Sequence, residues 1–300
     1  MNETRTLYPA TALSPAAERP APAGQRWARP NRRTRTLGLI ACCVLFYIIV
    51  LGASAVIGEE GLKTALKARN TAPTLSHPFG TDWLGRDMLT RTLFGLGLSL
   101  QVGLLAATIS AVLGTVLGLS AAAFGGKVDL AVTWLVDLFM SMPHLVLMIL
   151  IAFAVGGGLQ GVIIAVAVTH WPGLTRLMRA EAMQLKNADY VQLSARLGHS
   201  PWWTARHHLL PHLAPQFIVG LILLFPHAIL HEAALTFIGI GLSPHTPAVG
   251  IILTESMRNL STGYWWLAVM PGLALLLTVK MFDVLGENVR TLIDPKTSQG

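Results

Sequence analysis

The sequence predicts an all-α membrane protein of about six transmembrane helices, with a helical cytoplasmic loop between the fourth and the fifth. Three observations predict it. Of 300 residues, 53% are hydrophobic and only 12% are charged, where an ordinary soluble domain carries roughly 25%. So few charges cannot clothe a soluble surface. Those charges are gathered into short stretches between long apolar runs, which approach the roughly 20 residues that a helix needs to cross hydrocarbon. Finally, the net charge of +7 comes from basic residues placed beside apolar segments. That placement suits an anionic leaflet and not a groove for nucleic acid, for which no binding module is recognisable.

Residues 1–36, rich in Ala and Pro (Pro9, Pro15, Pro20, Pro22, Pro30), read as a disordered cytoplasmic tail. Arg26, Arg29, Arg32, Arg33 and Arg35 close it, immediately before the first span at 37–57. That run is too long for a signal-peptide core and lacks a convincing cleavage site, so it is expected to remain as an anchor. Cys42 and Cys43 are adjacent within it and imply no disulfide framework. The second span, 99–124, carries Gly103, Ala107, Ser110, Gly114 and Gly118 at spacings of three and four. Such a stripe lets helices approach closely, either inside the chain or along a seam with a second membrane subunit.

The third span, 128–155, contains Pro143, which breaks or kinks it. Gly156-Gly157-Gly158 then turns the chain into the fourth, 161–176, whose His170-Trp171-Pro172 reads as an interfacial ending. The fifth, 215–242, contains Pro226, and the sixth is 265–285. Cytoplasmic termini place the arginine-rich tail, Lys127, Arg176, Arg179, Lys186, Arg196, Arg206, Arg290 and Lys296 on the positive inner side, with 296–300 as a short tail. The loop 58–98 spoils that asymmetry with Lys63, Lys67, Arg69, Arg86 and Arg91, although Glu59, Glu60, Asp82 and Asp87 accompany them.

The stretch 181–215 is too polar to enter lipid and too patterned for a loose connector. Asn187 or Asp189 is placed to cap a short helix through Ser194 and Arg196, and Gly198 to end it. Ser200-Pro201 starts the next helix with proline at its first position, and Leu210-Pro211 turns the chain back toward lipid. A rigid helix–glycine–helix of this kind suits a knob that docks and transmits force.

This loop resembles the coupling loop of bacterial ABC-importer permeases, whose pattern is Glu-Ala-Ala, three residues, Gly, nine residues, then Ile-any-Leu-Pro. Asp189-Tyr190-Val191 leads into Gln192-Leu193-Ser194, and Gly198 and Leu210-Pro211 follow at the matching spacing. Glu-Ala-Ala is degenerate, and His208 stands at the Ile position. Two further stretches are similar to the dipeptide, oligopeptide and nickel (opine) permeases. One is Gly80-Thr81-Asp82, Leu84-Gly85-Arg86-Asp87, Gly95 and Ser99-Leu100, the other Thr236-Phe237-Ile238-Gly239-Ile240-Gly241-Leu242. The resemblance covers roughly residues 37–295 and is to the C-type permease subunit. It implies a multi-pass protein of the bacterial inner membrane, paired with a second homologous permease, two cytoplasmic ATPases and an extracytoplasmic solute-binding protein. ATP and Mg would be used by the ATPases, with no cofactor bound by this chain. In keeping, the nearest approach to a phosphate-binding loop, Gly125-Gly126-Lys127, has Ala121 at the first glycine and Val128 after the lysine.

Ionisable groups inside spans are costly and commonly functional. His144, His170, His227, His231 and Glu232 are therefore candidates for the translocation path. His227 and His231, four apart on one helix face, could ligate a metal transiently. Hydrogen bonding between helices is the structural alternative. The cargo expected on this basis is nickel, another transition metal or a metal chelate, with di- or oligopeptides as the alternative. Two readings of another class are weaker. An intramembrane zinc protease would need H-E-x-x-H, but His231-Glu232 is followed by Leu235 where the second histidine belongs. A self-contained channel or secondary transporter leaves the loop at 181–215 without a purpose.

Overall fold

Glycine and proline decide where the helices of this chain begin, bend and stop. The computed structural model describes residues 32–243 and 245–293. Helix α1 is Arg32–Val56, so residues 32–36 of the expected tail are helical; 1–31 and 294–300, including Lys296, lie outside the described residues. A loop with two short 3-10 turns leads to α2, Met88–Phe124, the longest helix at 37 residues. It begins well before residue 99 because Asp87 caps it, accepting from Thr90 N and Thr90 Oγ1, both at 2.8 Å. Gly125 (φ 62°) and Gly126 (φ 50°) then reverse the chain into α3, Gly126–Ser141.

Pro143 separates α3 from α4, His144–Ala154, and the two axes meet at 98°. The expected third span is thus a broken one or a re-entrant pair. The Gly156-Gly157-Gly158 turn, all at positive φ, leads into α5, Gly158–Thr169, and α6, Trp171–Lys186. These two run on as one apolar stretch, Gly158–Lys186. His170-Trp171-Pro172 is consequently a joint inside the fourth span, not an interfacial ending, and Trp171 is buried against α2 and α3. Then come α7, Asp189–Arg196, α8, Pro201–Thr204, and, through a single π turn at Ala205–Leu209, α9, Leu210–Phe237. Two helices close the described chain: α10, Val249–Met257, and α11, Trp266–Ile293. Five described helices are long and apolar enough to cross a membrane, or six if α3 and α4 count as one span.

The centre of the bundle is α2, with α5, α6 and α9 packed along it. Its small residues explain the closeness. A Cβ on Gly103 would lie 2.7 Å from Ile229 of α9, and one on Gly118 only 2.7 Å from the Thr175 carbonyl of α6. Ser110 donates to the Ala167 carbonyl of α5 at 2.5 Å. The stripe is used within the chain, which leaves no need for the inter-subunit seam. On the periphery, α1 leans on α11: the Tyr47 hydroxyl donates to the Thr278 carbonyl at 2.7 Å, and Cys43 is buried there while Cys42 is exposed.

Two of the arginines that spoiled the charge asymmetry, Arg86 and Arg91, prove to be internally paired. Asp82 accepts from Arg86 Nε (2.7 Å) and Arg91 Nη1 (2.8 Å), and Arg91 Nη2 reaches Glu255 of α10 at 2.8 Å. With Asp82 2% and Arg91 3% exposed, these charges serve the fold instead of reporting topology. Gly85 (φ 77°) makes the knot possible, since a Cβ there would overlap the Ala65 carbonyl at 1.9 Å.

Candidate functional site

Two regions carry the residues singled out in the sequence. The first is the segment from the end of α6 to the start of α9. Its base is tied down: Arg179 grips Asp129 of α3 through two hydrogen bonds of 2.5 and 2.7 Å, and Lys186 Nζ donates to the Ala122 and Ala123 carbonyls at 2.9 and 3.3 Å. The lysine thereby satisfies carbonyls in the last turn of α2, which otherwise have no helical partner.

On this base lies α7. Val191 and Ser194 face inward, Val191 joining a cluster with Ala123, Ala205 and Leu209. Asp189, Tyr190, Gln192 and Leu193 point outward. Tyr190 is 47% exposed, Leu193 57% and Leu197 71%, a concentration of uncovered apolar surface on an otherwise polar segment. Neither Asn187 nor Asp189 caps α7. Ala188 precedes it without a side-chain cap, and Asp189 is its first residue, where its charge complements the helix N-terminus.

Gly198 has φ 86° and follows α7 as expected, with Gly198 N bonded to the Ala195 carbonyl and His199 N to the Ser194 carbonyl at 3.1 and 3.3 Å. Ser200 caps α8 by accepting from Trp203 N at 3.2 Å. A cleft of about 350 Å³ separates α7 from α8, lined by Lys186, Gln192, His199 and Thr204 among others.

At Leu210-Pro211 the outcome differs from the expectation of a turn. The chain is helical from Pro201 to Phe237. Leu210 N bonds to the Ala205 carbonyl five residues back, and this widened turn makes room for the Pro211 ring and its missing N–H. Leu210 and Pro211 are both exposed. Beside them the rings of His199, Trp203 and His207 stack at 3.7 and 4.4 Å. Sequence reasoning passed over that stack, although the spacing of four was there to be read.

The second region is a histidine cluster where the α3–α4 bend and the α5–α6 joint meet α9. His144 is the first residue of α4 after the 98° bend, His170 is the joint between α5 and α6, and His231 lies on α9. Their ring centroids are 4.7 to 5.0 Å apart. His227 is outside this trio. It is exposed and its Nδ1 donates to the Leu223 carbonyl of its own helix at 3.1 Å. Of the predicted pair of His227 and His231, the structure brings His231 together with His144 and His170. Helical spacing gave the pair, and only the bend at Pro143 brings in His144.

Glu232, 1% exposed, points the other way and accepts from Ser99 Oγ (2.6 Å) and Thr236 Oγ1 (3.0 Å), joining α2 to α9. It is occupied as a packing acceptor. Helix α9 continues through both Pro215 and Pro226.

The description "binding-protein-dependent transport system inner membrane component" fits this chain over residues 114–299, the loop and the histidine cluster included. The chain belongs to this family. Among similar permeases, the dipeptide transport system permease DppC of Bacillus subtilis (strain 168) is 34% identical over 262 residues, 86% of this chain and 82% of that protein. The probable D,D-dipeptide transport system permease DdpC of Escherichia coli (strain K12) is 35% identical over 231 residues, 77% of each chain. The fold of this permease resembles an inward-facing structure of the MetNI methionine ABC transporter, with a TM-score of 0.55 over 69% of this chain and 98% of that one, at 18% identity. The permease is accordingly a multi-pass membrane subunit of an ABC importer, a family whose membrane component has no catalytic site of its own.

Proposed function

We propose that this permease forms half of the translocation path of an ATP-driven importer of di- or oligopeptides. The observation that carries this is the run of relatives named for dipeptides, which match at least three quarters of both chains; a further relative, 31% identical over 227 residues, is a glutathione permease of Pectobacterium atrosepticum. The nickel expectation is the less supported of the two, since none of these names concerns a metal.

In this reading the complete importer contains a second homologous permease, two cytoplasmic ATPases and an extracytoplasmic solute-binding protein. The segment 181–215 faces the cytoplasm. There α7 is the docking knob: Asp189, Tyr190, Gln192 and Leu193 meet the ATPase, Val191 and Ser194 hold the knob to the membrane bundle, and Gly198 and Leu210-Pro211 set its angle to α9. Closure of the ATPases on ATP and Mg would push α7, and α9, joined to it through one continuous helix from Pro201, would carry the motion into the path. His144 and His170 lie at the α3–α4 bend and the α5–α6 joint, and His231 faces them from α9, which such a motion shifts.

Uptake in cells carrying all the subunits tests the cargo. Radiolabelled dialanine should accumulate in an ATP-dependent manner and radiolabelled nickel should not. Nickel accumulation with no peptide uptake would restore the metal reading and remove this one.

A further inference from the structure

We infer that His144, His170 and His231 form a binding site for a divalent transition-metal ion that pins the α3–α4 bend and the α5–α6 joint to α9, independently of which cargo is carried. Among the described residues, one nitrogen from each imidazole lies within 4.8 Å of the other two. Tetrahedral bonds of roughly 2.0–2.1 Å would set these nitrogens about 3.4 Å apart, so ring rotations of about an ångström close the site. Imidazole donors suit zinc, copper, nickel and cobalt.

A second observation points to the same ligand. His170 Nδ1 lies 2.8 Å from the Val166 carbonyl, which can only accept, so Nδ1 carries the proton. In the neutral ring Nε2 is then a bare lone pair, and that atom is buried with no hydrogen-bond partner. A ligating histidine whose other ring nitrogen donates to a backbone carbonyl is the arrangement that fixes both tautomer and ring orientation for a metal. A buried acceptor left open is destabilising, and a metal ion would relieve it.

His144 is exposed while His170 and His231 are partly buried, so the fourth position opens on the His144 side and can take water. The three ligands come from α4 at its 98° bend with α3, from the α5–α6 joint and from α9. An ion held by all three would resist any motion that separates them, and the site is therefore a brake on the conformational cycle.

The test titrates the complete transporter, freed of any histidine tag, with cobalt(II) chloride. Expected are the intense visible bands of tetrahedral cobalt, saturating at one equivalent per copy of this chain, and a raised unfolding midpoint. His170→Asn keeps a donor toward Val166 and deletes Nε2; it should weaken binding at least about 10-fold and abolish the midpoint shift. Unchanged affinity in His170→Asn overturns the inference. So does cobalt binding that is lost only when His199, His207 and His208 are replaced. If His170→Asn fails to assemble, copper(II) on the unaltered complex decides by electron paramagnetic resonance. Coupling to three imidazole nitrogens at one equivalent supports the site, and fewer than three overturns it.

Discussion

Gly198 and Gly118 are both glycines for physical reasons, but the reasons differ and so do the expected consequences of replacing them. Around Gly198 there is open space, and only its φ of 86° excludes a side chain. A β-branched residue there costs about 1–3 kcal/mol of backbone strain and shifts the chain between α7 and α8. Gly198→Val should leave ATP hydrolysis within about twofold while transport falls at least 10-fold; normal transport would sink the coupling role. Gly118 is the reverse case, an ordinary helical residue whose absent Cβ would collide with backbone of α6. Gly118→Leu should lower stability by about 1–3 kcal/mol through overpacking, read as a drop in the unfolding midpoint. The ion cluster gives a third prediction. Arg91→Ala leaves buried Asp82 and half-buried Glu255 to Arg86 alone and should cost about 1–3 kcal/mol, less than the roughly 3–5 kcal/mol of a buried charge left with no partner. A midpoint unchanged in Arg91→Ala would show that solvent reaches the site.

At the scale of elements, α7 is eight residues, too short to be stable by itself. Its stability comes from Val191 seated on Ala205 and Leu209, which leaves the outer face free to be apolar without a core to bury it. Replacing Tyr190 and Leu193 together by Asp should release the ATPases from the detergent-purified complex while the membrane bundle keeps its unfolding midpoint. Co-purification at normal stoichiometry would count against docking there.

The same scale shows what could be read in the chain. Gly198, Ser200 and the Gly156-Gly157-Gly158 turn were legible because each obeys a local rule of φ or capping. The start of α2 was not, because Asp87 caps a helix whose first turns are mixed in polarity and do not stand out as a span. The α5–α6 joint was misread as an end because His170, Trp171 and Pro172 imitate an interfacial cluster, while the burial of Trp171 against α2 and α3 is a tertiary fact. Pro211 was overestimated as a turn, because it follows a π turn that absorbs its geometry.

For the whole molecule, a single long helix, α2, serves as the spine, and both the segment proposed to couple, α7, and the histidine cluster are hung on it. The knob is anchored at the end of α2 through Lys186 and Ala123. The cluster is gathered by helices that pack on the same spine, α5 and α9. Histidine spacing along one helix could not disclose that gathering, since the trio depends on a 98° bend and on two other helices. In the proposed function the chain's own share of transport is mechanical: it holds a path and accepts force from outside.

That claim is tested most directly by reconstituting the complete importer in proteoliposomes and measuring uptake of labelled dipeptide with ATP, without ATP, and with the ATPases omitted. Uptake should require both ATP and the ATPases and fall to background when either is missing. Uptake that persists without them would show that the permease acts as a self-contained channel or secondary transporter, and would contradict the account.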